Sequence, residues 1–278
     1  MTGAAERPTG SGRSSSNPQR RWPRARRERE RAWLEDLYAV HHDPRFIDPD
    51  PLQYVRCLPS PADREVAGLV ASALAYGNVT AMRPAIETVL AVLGKHPAKG
   101  LDGLSDADLK RTLADFRYRV TPGERVAGML IAVRRVRGAR GSLEDCILAG
   151  DDGGPTIVAG VAGLVEELRR ASPTRLDHLL PAPRDGSACK RLMLWLRWMV
   201  RCDAIDPGGW DRLDPARLVM PIDTHVYRTA RERRWTRRRT VNLSTALEIT
   251  ERLSELEPSD PLRWDFSITR PGIRGEGS

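Results

Sequence analysis

An all-α fold is what the sequence predicts, on three observations. Apolar residues recur at helical spacing in stretches of about 8–17 residues through residues 60–269. Alternating strand patterns and hairpin turn signals are absent. Pro, Gly and Asp clusters punctuate the periodic stretches as helix stops and starts.

Taken in order, Ser60-Pro61 reads as an N-cap followed by proline at the first helical position, opening a helix to about Tyr76. Gly77-Asn78 ends it, and a second apolar helix follows to Leu93. Further helices are expected over 105–116, 122–137, 142–149, 156–171, 187–203, 223–234, 243–256 and 260–269. Their loops are short except at 172–186 and 204–222, and no internal repeat is present. One domain is expected over 32–273, preceded by a disordered basic arm at 1–31 and followed by a tail at 274–278.

The charge is unevenly placed. The chain has 278 residues and a formal charge of +8, of which residues 1–31 (nine arginines, three glutamates) hold +6. The arm could hold nucleic acid electrostatically or simply be solvated. A second basic cluster, Arg231, Arg233, Arg234, Arg237, Arg238 and Arg239, surrounds Trp235 inside the folded region. Cysteines 57, 146, 189 and 202 form no zinc-ribbon or iron–sulfur spacing. No apolar run approaches the ~18–20 residues that cross a bilayer, and the polar start lacks a signal-peptide stretch. A cytoplasmic protein with no membrane partner is expected.

Only four of the 45 cationic residues are lysines, and Lys190 is the only one in the C-terminal half. Arginine stays protonated, whereas a lysine amine can shed its proton and attack. In the helix over 187–203, Leu192, Trp195, Leu196, Met199, Val200 and Cys202 fall on one apolar face. Lys190, Arg197 and Arg201 fall almost on one line opposite, a stripe that reads either as solvated or as functional. Lys190 lies in the first turn, where the helix dipole and Arg191 disfavour a cation. The preceding Pro183-Arg184-Asp185-Gly186 turn could offer backbone amides to a phosphate. Trp198, on the flank of the stripe, either stacks on a base or packs in the core.

Thirty-three residues downstream of Lys190 comes Met220-Pro-Ile-Asp-Thr-His-Val-Tyr-Arg228. Asp223 is placed to cap the following helix. Capping alone accounts for neither His225 nor the arginines beyond it. Asp223 and His225 could also be metal ligands, with His41-His42-Asp43 as a third source, but the spacing is not that of a known site and no metal is expected.

These segments carry two resemblances. KRLMLWLRWMVRCDAIDPGGW (190–210), MPIDTHV (220–226), NLSTALEITERL (242–253) and DPLRWDFSI (260–268) closely resemble an uncharacterised bacterial domain-of-unknown-function family, over roughly residues 33–273. More distantly, Gly186-Ser-Ala-Cys-Lys190 is similar to the hairpin G-V-G-R-K of helix-hairpin-helix DNA glycosylases, and Pro221-Ile-Asp223-Thr-His225-Val226 to their V-D-T-H motif. The long gap between Lys190 and Asp223 is most similar to the archaeal 8-oxoguanine glycosylase branch. EVAGLVASALAYGNVTAMRPAIETVL (65–90) resembles that family's N-terminal helix pair, whose turn, here Tyr76 and Asn78, approaches the minor groove. The L-P-G-V-G hairpin sequence and the four-cysteine cluster are missing, so no iron–sulfur centre is expected.

The resemblance implies two helical lobes around a cleft, duplex DNA with a damaged or flipped base as partner, and no cofactor. It implies Lys190 as nucleophile and Asp223 as its partner carboxylate. Tyr76, Asn78, Arg191, Arg197, Trp198, Arg201, His225, Arg231, Arg234 and Arg237 would contact nucleic acid. Three rivals stand beside this reading: a nucleic-acid binder without catalysis on the same fold, a metal-dependent phosphodiesterase using Asp223 and His225, and a small-molecule enzyme. For the last, no G-x-G-x-x-G or P-loop is present.

Overall fold

A computed structural model describes residues 21–274. Among the described residues there are thirteen α-helices and one two-stranded sheet. Each of the ten expected helices has a counterpart, the last beginning at Asp265 rather than 260: α3 (Pro61–Leu74), α4 (Val79–Leu93), α6 (Asp106–Thr112), α7 (Gly123–Arg140), α8 (Leu143–Ala149), α9 (Val158–Ala171), α10 (Lys190–Val200), α11 (Thr224–Glu232), α12 (Leu243–Ser254) and α13 (Asp265–Arg274). Their starts follow the capping chemistry: the side chains of Ser60, Asn78, Ser105, Ser142, Asp223 and Asn242 each accept a backbone N–H two or three positions into the helix.

Four elements differ from expectation. Helix α1 spans Arg24–His41, so order begins well before the arm's expected end at 31; residues 1–20 lie outside the described residues. Charge density hides this helix in the sequence, but its start is pinned. The Trp22 side chain is buried, the Trp22 backbone N–H donates to Glu255 Oε2 (2.7 Å), and Arg26 stacks over the indole ring (4.3 Å). Short helices α2 (Gln53–Arg56) and α5 (Pro97–Gly103) are too brief to show a period. A hairpin pairs β1 (Arg117–Tyr118) with β2 (Thr121–Pro122), and two-residue strands offer no alternation to read. Its turn uses Arg119 at φ 51, where Gly or Asn would advertise it.

The core organises around α3 and α10, which pack on one another. Gly68 of α3 permits the approach: a Cβ there would lie 2.8 Å from Trp195 Cδ1. Glu65, buried on α3, ties several elements together by accepting from Arg137 (3.1 Å), the Leu143 backbone (3.1 Å) and Trp210 (3.0 Å). Helices α3 to α5 and α7 to α10 form one packing group, while α1 and α11 pack on α13 in another.

Candidate active-site cleft

Where the two groups meet lies a cleft of about 210 Å³. That is below the roughly 300–1,000 Å³ of drug-sized sites, so it suits one sugar- or base-sized group. One wall is α10, contributing Lys190, Leu194 and Arg197 at i, i+4 and i+7. Pro221 and Asp223 enter from the start of α11, and Asp265, Thr269 and Arg270 from α13. Gly77, Val79 and Met82 line it from the α3–α4 turn, and Pro49, Asp50 and Pro51 from the loop before α2.

Lys190 is the first residue of α10 and is half-buried. Among the described residues its amine has no ion pair within 4.0 Å and no hydrogen bond. Cys189 before it adopts the left-handed region (φ 47), and Gly186 (φ 74) closes a short 3-10 turn at Pro183–Asp185. The tight turn expected there is present, anchored by Leu243 N–H donating to the Gly186 carbonyl (3.0 Å). Asp223 caps α11, its Oδ1 accepting from Val226 N–H at 2.7 Å. Rigid entry comes from Pro221 and Ile222, both buried. Lysine and aspartate, 33 residues apart in sequence, thus line one cleft.

A second carboxylate joins them. Asp265, 2% exposed, pairs through Oδ2 with Arg197, while its buried Oδ1 has no hydrogen-bond partner. Burial is the dominant influence on this carboxyl and pushes it up to about 6; Arg197 opposes the shift, and the charges of Asp223 and Asp206 add to it. Sequence reasoning missed Asp265 as a site residue. Its segment was visible only as part of the family-like DPLRWDFSI, where Asp at a helix start reads as a terminus signal.

The cationic stripe opposite the apolar face is corrected by the structure. Arg197 and Arg201 are 2% and 5% exposed and belong to a buried ion network. Arg197 contacts Asp206 (3.0 Å) and Asp265; Arg201 contacts Asp206 (3.0 Å), Asp203 and Asp260. His42 reaches Asp203 at 3.4 Å. Burial works against both guanidiniums, but the surrounding carboxylates outweigh it and hold them above their usual range. Burial likewise raises Asp206, against the pull of Arg197 and Arg201. Neither arginine is free to hold a phosphate, because each already serves two or three carboxylates. Buried pairs of this kind cost about 3–5 kcal/mol to break from one side.

Several other expected contacts are reassigned. Trp198 is fully buried and cannot stack on a base from solvent. Arg191 donates to the carbonyls of Ala73 and His178 and lies 5.2 Å from the Tyr76 ring, tying α10 to the end of α3. Tyr76 packs on Tyr118 and His178, and its hydroxyl bonds Thr121 (2.7 Å) and the Tyr118 carbonyl (3.0 Å). Asn78 is exposed and caps α4. His225 lines a separate hollow with Trp33, Leu37 and Pro271, and presses on Gly272, where a Cβ would lie 2.1 Å from its Nδ1. Asp223 and His225 therefore do not converge. Among the described residues, no group of three or more His, Cys, Asp or Glu is arranged to hold a metal ion.

The basic cluster divides. Arg233 is consumed by Glu30 (2.6 Å) and stacks over Trp33 (3.8 Å), and Arg231 donates to the Arg238 carbonyl (3.2 Å). Arg234 and Arg237 are exposed, the former at φ 57 in the left-handed region. Helix α1, which sequence reasoning left out, faces this cluster: Arg26 donates to the Arg233 and Arg234 carbonyls (2.9 and 3.1 Å). No described helix is long and apolar enough to cross a membrane.

Compared with known families, residues 50–274 match one, described as a protein of unknown function (DUF2400). No curated protein and no solved structure matches the chain.

Proposed function

The chain belongs to the DUF2400 family, whose function is unknown, and we propose that it is a DNA-repair glycosylase and abasic-site lyase on a helix-hairpin-helix glycosylase-like fold. The observation that carries this reading is the meeting of Lys190 and Asp223 in one cleft with the amine unpaired. A lysine committed to structure would be expected to hold a carboxylate or to reach solvent along an exposed face.

In this reading a damaged nucleotide is flipped into the cleft. The Lys190 amine, once it has given up its extra proton, attacks C1′ while the glycosidic C–N bond breaks and its electron pair leaves with the base. Asp223 takes the proton released by the new C1′–Nζ bond, using the carboxylate oxygen not engaged by Val226. The same carboxylate stabilises positive charge developing on the sugar before that bond is complete. Opening of the sugar ring gives an imine between C1′ and Nζ. Loss of a C2′ proton then expels the 3′ phosphate by β-elimination, and water releases the lysine. No cofactor is needed for any step. Arg234 and Arg237, in the loop that follows α11, would hold backbone phosphates.

Borohydride tests the reading directly, since hydride converts the imine to a stable amine. Wild-type protein with abasic or 8-oxoguanine duplex DNA should yield a covalent adduct that Lys190→Gln lacks. An adduct that survives in Lys190→Gln, or none from wild type across a panel of lesions, overturns it. Asp223→Asn should keep the fold, because an amide oxygen still caps α11, and lose turnover.

The competing reading is a nucleic-acid binder without catalysis, and one observation favours it. The guanidiniums of Arg191, Arg197 and Arg201, on the same helix as Lys190 or just past its end, are held by carbonyls or carboxylates of the protein itself, even though Arg197 lines the cleft. Salt-dependent DNA binding that Lys190→Gln leaves intact, with no trapping by wild type, would decide for it.

A further inference from the structure

We infer that Asp265 is a second acidic wall of this cleft, a specificity residue that favours a bound group carrying positive charge or a hydrogen donor. For the nucleotide substrate proposed above, on which this inference rests, that group is the sugar as it becomes cationic.

The argument begins with an unmet acceptor. Asp265 Oδ1 is buried, lacks a partner and belongs to a residue lining the cleft. A buried polar atom left unpaired costs on the order of 1–3 kcal/mol, which a ligand donor placed against it would recover. A ligand with no donor at that point recovers nothing.

The charges facing Asp265 explain why the protein does not satisfy it internally. Arg197, from α10, is divided between Asp265 and Asp206. Arg270, one turn and more along α13, is committed to Asp50 (2.8 Å) and the Phe46 carbonyl (2.8 Å). Lys190 shares the cleft but pairs with neither Asp223 nor Asp265 within 4.0 Å. Asp223 lies close enough for its charge to raise Asp265. Asp223 and Asp265 therefore face a small space that Lys190, Arg197 and the paired Asp50 and Arg270 also line, beside Val79, Met82, Leu194 and Pro221. Two carboxylates whose charges act on one another across a small cleft favour a cation or a proton placed between them.

Because burial holds Asp265 near 6, it is ionised above that pH and protonated below it. Cation preference should accordingly be full at pH 7.5 and weaken as pH falls through about 6.

The test uses the full chain and two duplexes identical except at one position. One carries a neutral tetrahydrofuran abasic analogue, the other a protonated pyrrolidine analogue of the sugar cation. Wild type should prefer the cationic duplex by about tenfold or more at pH 7.5, with the preference shrinking at pH 5. Asp265→Asn should cut the preference to within about threefold while still binding the neutral duplex. Asp206→Asn, which touches Arg197 but does not line the cleft, should keep it. An Asp265→Asn protein retaining the full preference and its pH dependence would reduce Asp265 to a counter-ion of Arg197. If that variant does not fold, the wild-type profile still decides, since equal binding of both duplexes, or a preference unchanged at pH 5, overturns the inference. Failure of wild type to bind either duplex at low salt is a different result: it removes the DNA reading of the cleft, and this inference with it.

Discussion

Replacing Arg197 by methionine should destabilise the protein substantially, and by an amount that depends on pH. The substitution keeps an unbranched stem in a fully packed site and removes the guanidinium shared by Asp206 and Asp265. Asp206 retains Arg201 at 3.0 Å, so the larger loss falls on Asp265, which has no other partner. One-sided breakage of a buried pair costs about 3–5 kcal/mol. At about 2–4 °C per kcal/mol for a domain of this size, Tm at pH 7.5 should drop by roughly 6–20 °C. The pH dependence follows from protonation. Arg197 acts to lower the Asp265 carboxyl, which nevertheless sits near 6. Without Arg197 it rises further, so at pH 7.5 Asp265 is protonated to a greater extent in the variant than in wild type, where it is a paired anion. At pH 5 the carboxyl is largely protonated in both proteins, and the guanidinium has less to stabilise. The penalty should therefore be smaller at pH 5 than at pH 7.5, by about 1.4 kcal/mol for each pH unit over which the two proteins differ in protonation. Urea unfolding at both pH values measures it. A loss under about 1 kcal/mol at pH 7.5, or a penalty that grows on acidification, would refute this account of the network.

Other expectations are simpler to check. Lys190→Gln should leave urea stability within about 0.5–1 kcal/mol of wild type, because the amine holds no partner, while abolishing borohydride trapping. Arg191→Met should instead cost about 1–3 kcal/mol by orphaning the Ala73 and His178 carbonyls, with DNA-binding salt dependence unchanged. Arg234→Gly should raise stability by about 1 kcal/mol, since it relieves a left-handed backbone at φ 57. If Arg234 and Arg237 hold phosphates, replacing either by alanine should lower the slope of log K against log salt by about 0.9.

How much of the candidate site was legible varies residue by residue. Lys190 and Asp223 stood out because each sits at a helix start, a local feature that short sequence patterns encode. Asp223 caps α11 as its spacing from Val226 requires. Arg197 and Arg201 were legible as a stripe but not as a network, since the 100° repeat says which residues share a face and not what faces them. The partners that bury them, Asp260 and Asp265, lie 59 and 68 residues further along. Trp198 followed the same logic, and so did Arg191, whose acceptors come from elements 118 and 13 residues away.

By itself the sequence determined the all-α class, the ten helices whose period and caps are local, and the candidates Lys190 and Asp223 at two helix starts. Backbone preference and side-chain capping act within a turn or two, so they survive reading without a structure. Only the tertiary structure decided which cations are free, because a guanidinium's role depends on the carboxylates that burial brings to it. It also decided that α1 is a helix, held by Trp22 against Glu255 at the other end of the chain. And it placed Asp265 beside Lys190 and Asp223, a meeting of α10, α11 and α13 that no spacing along the chain encodes.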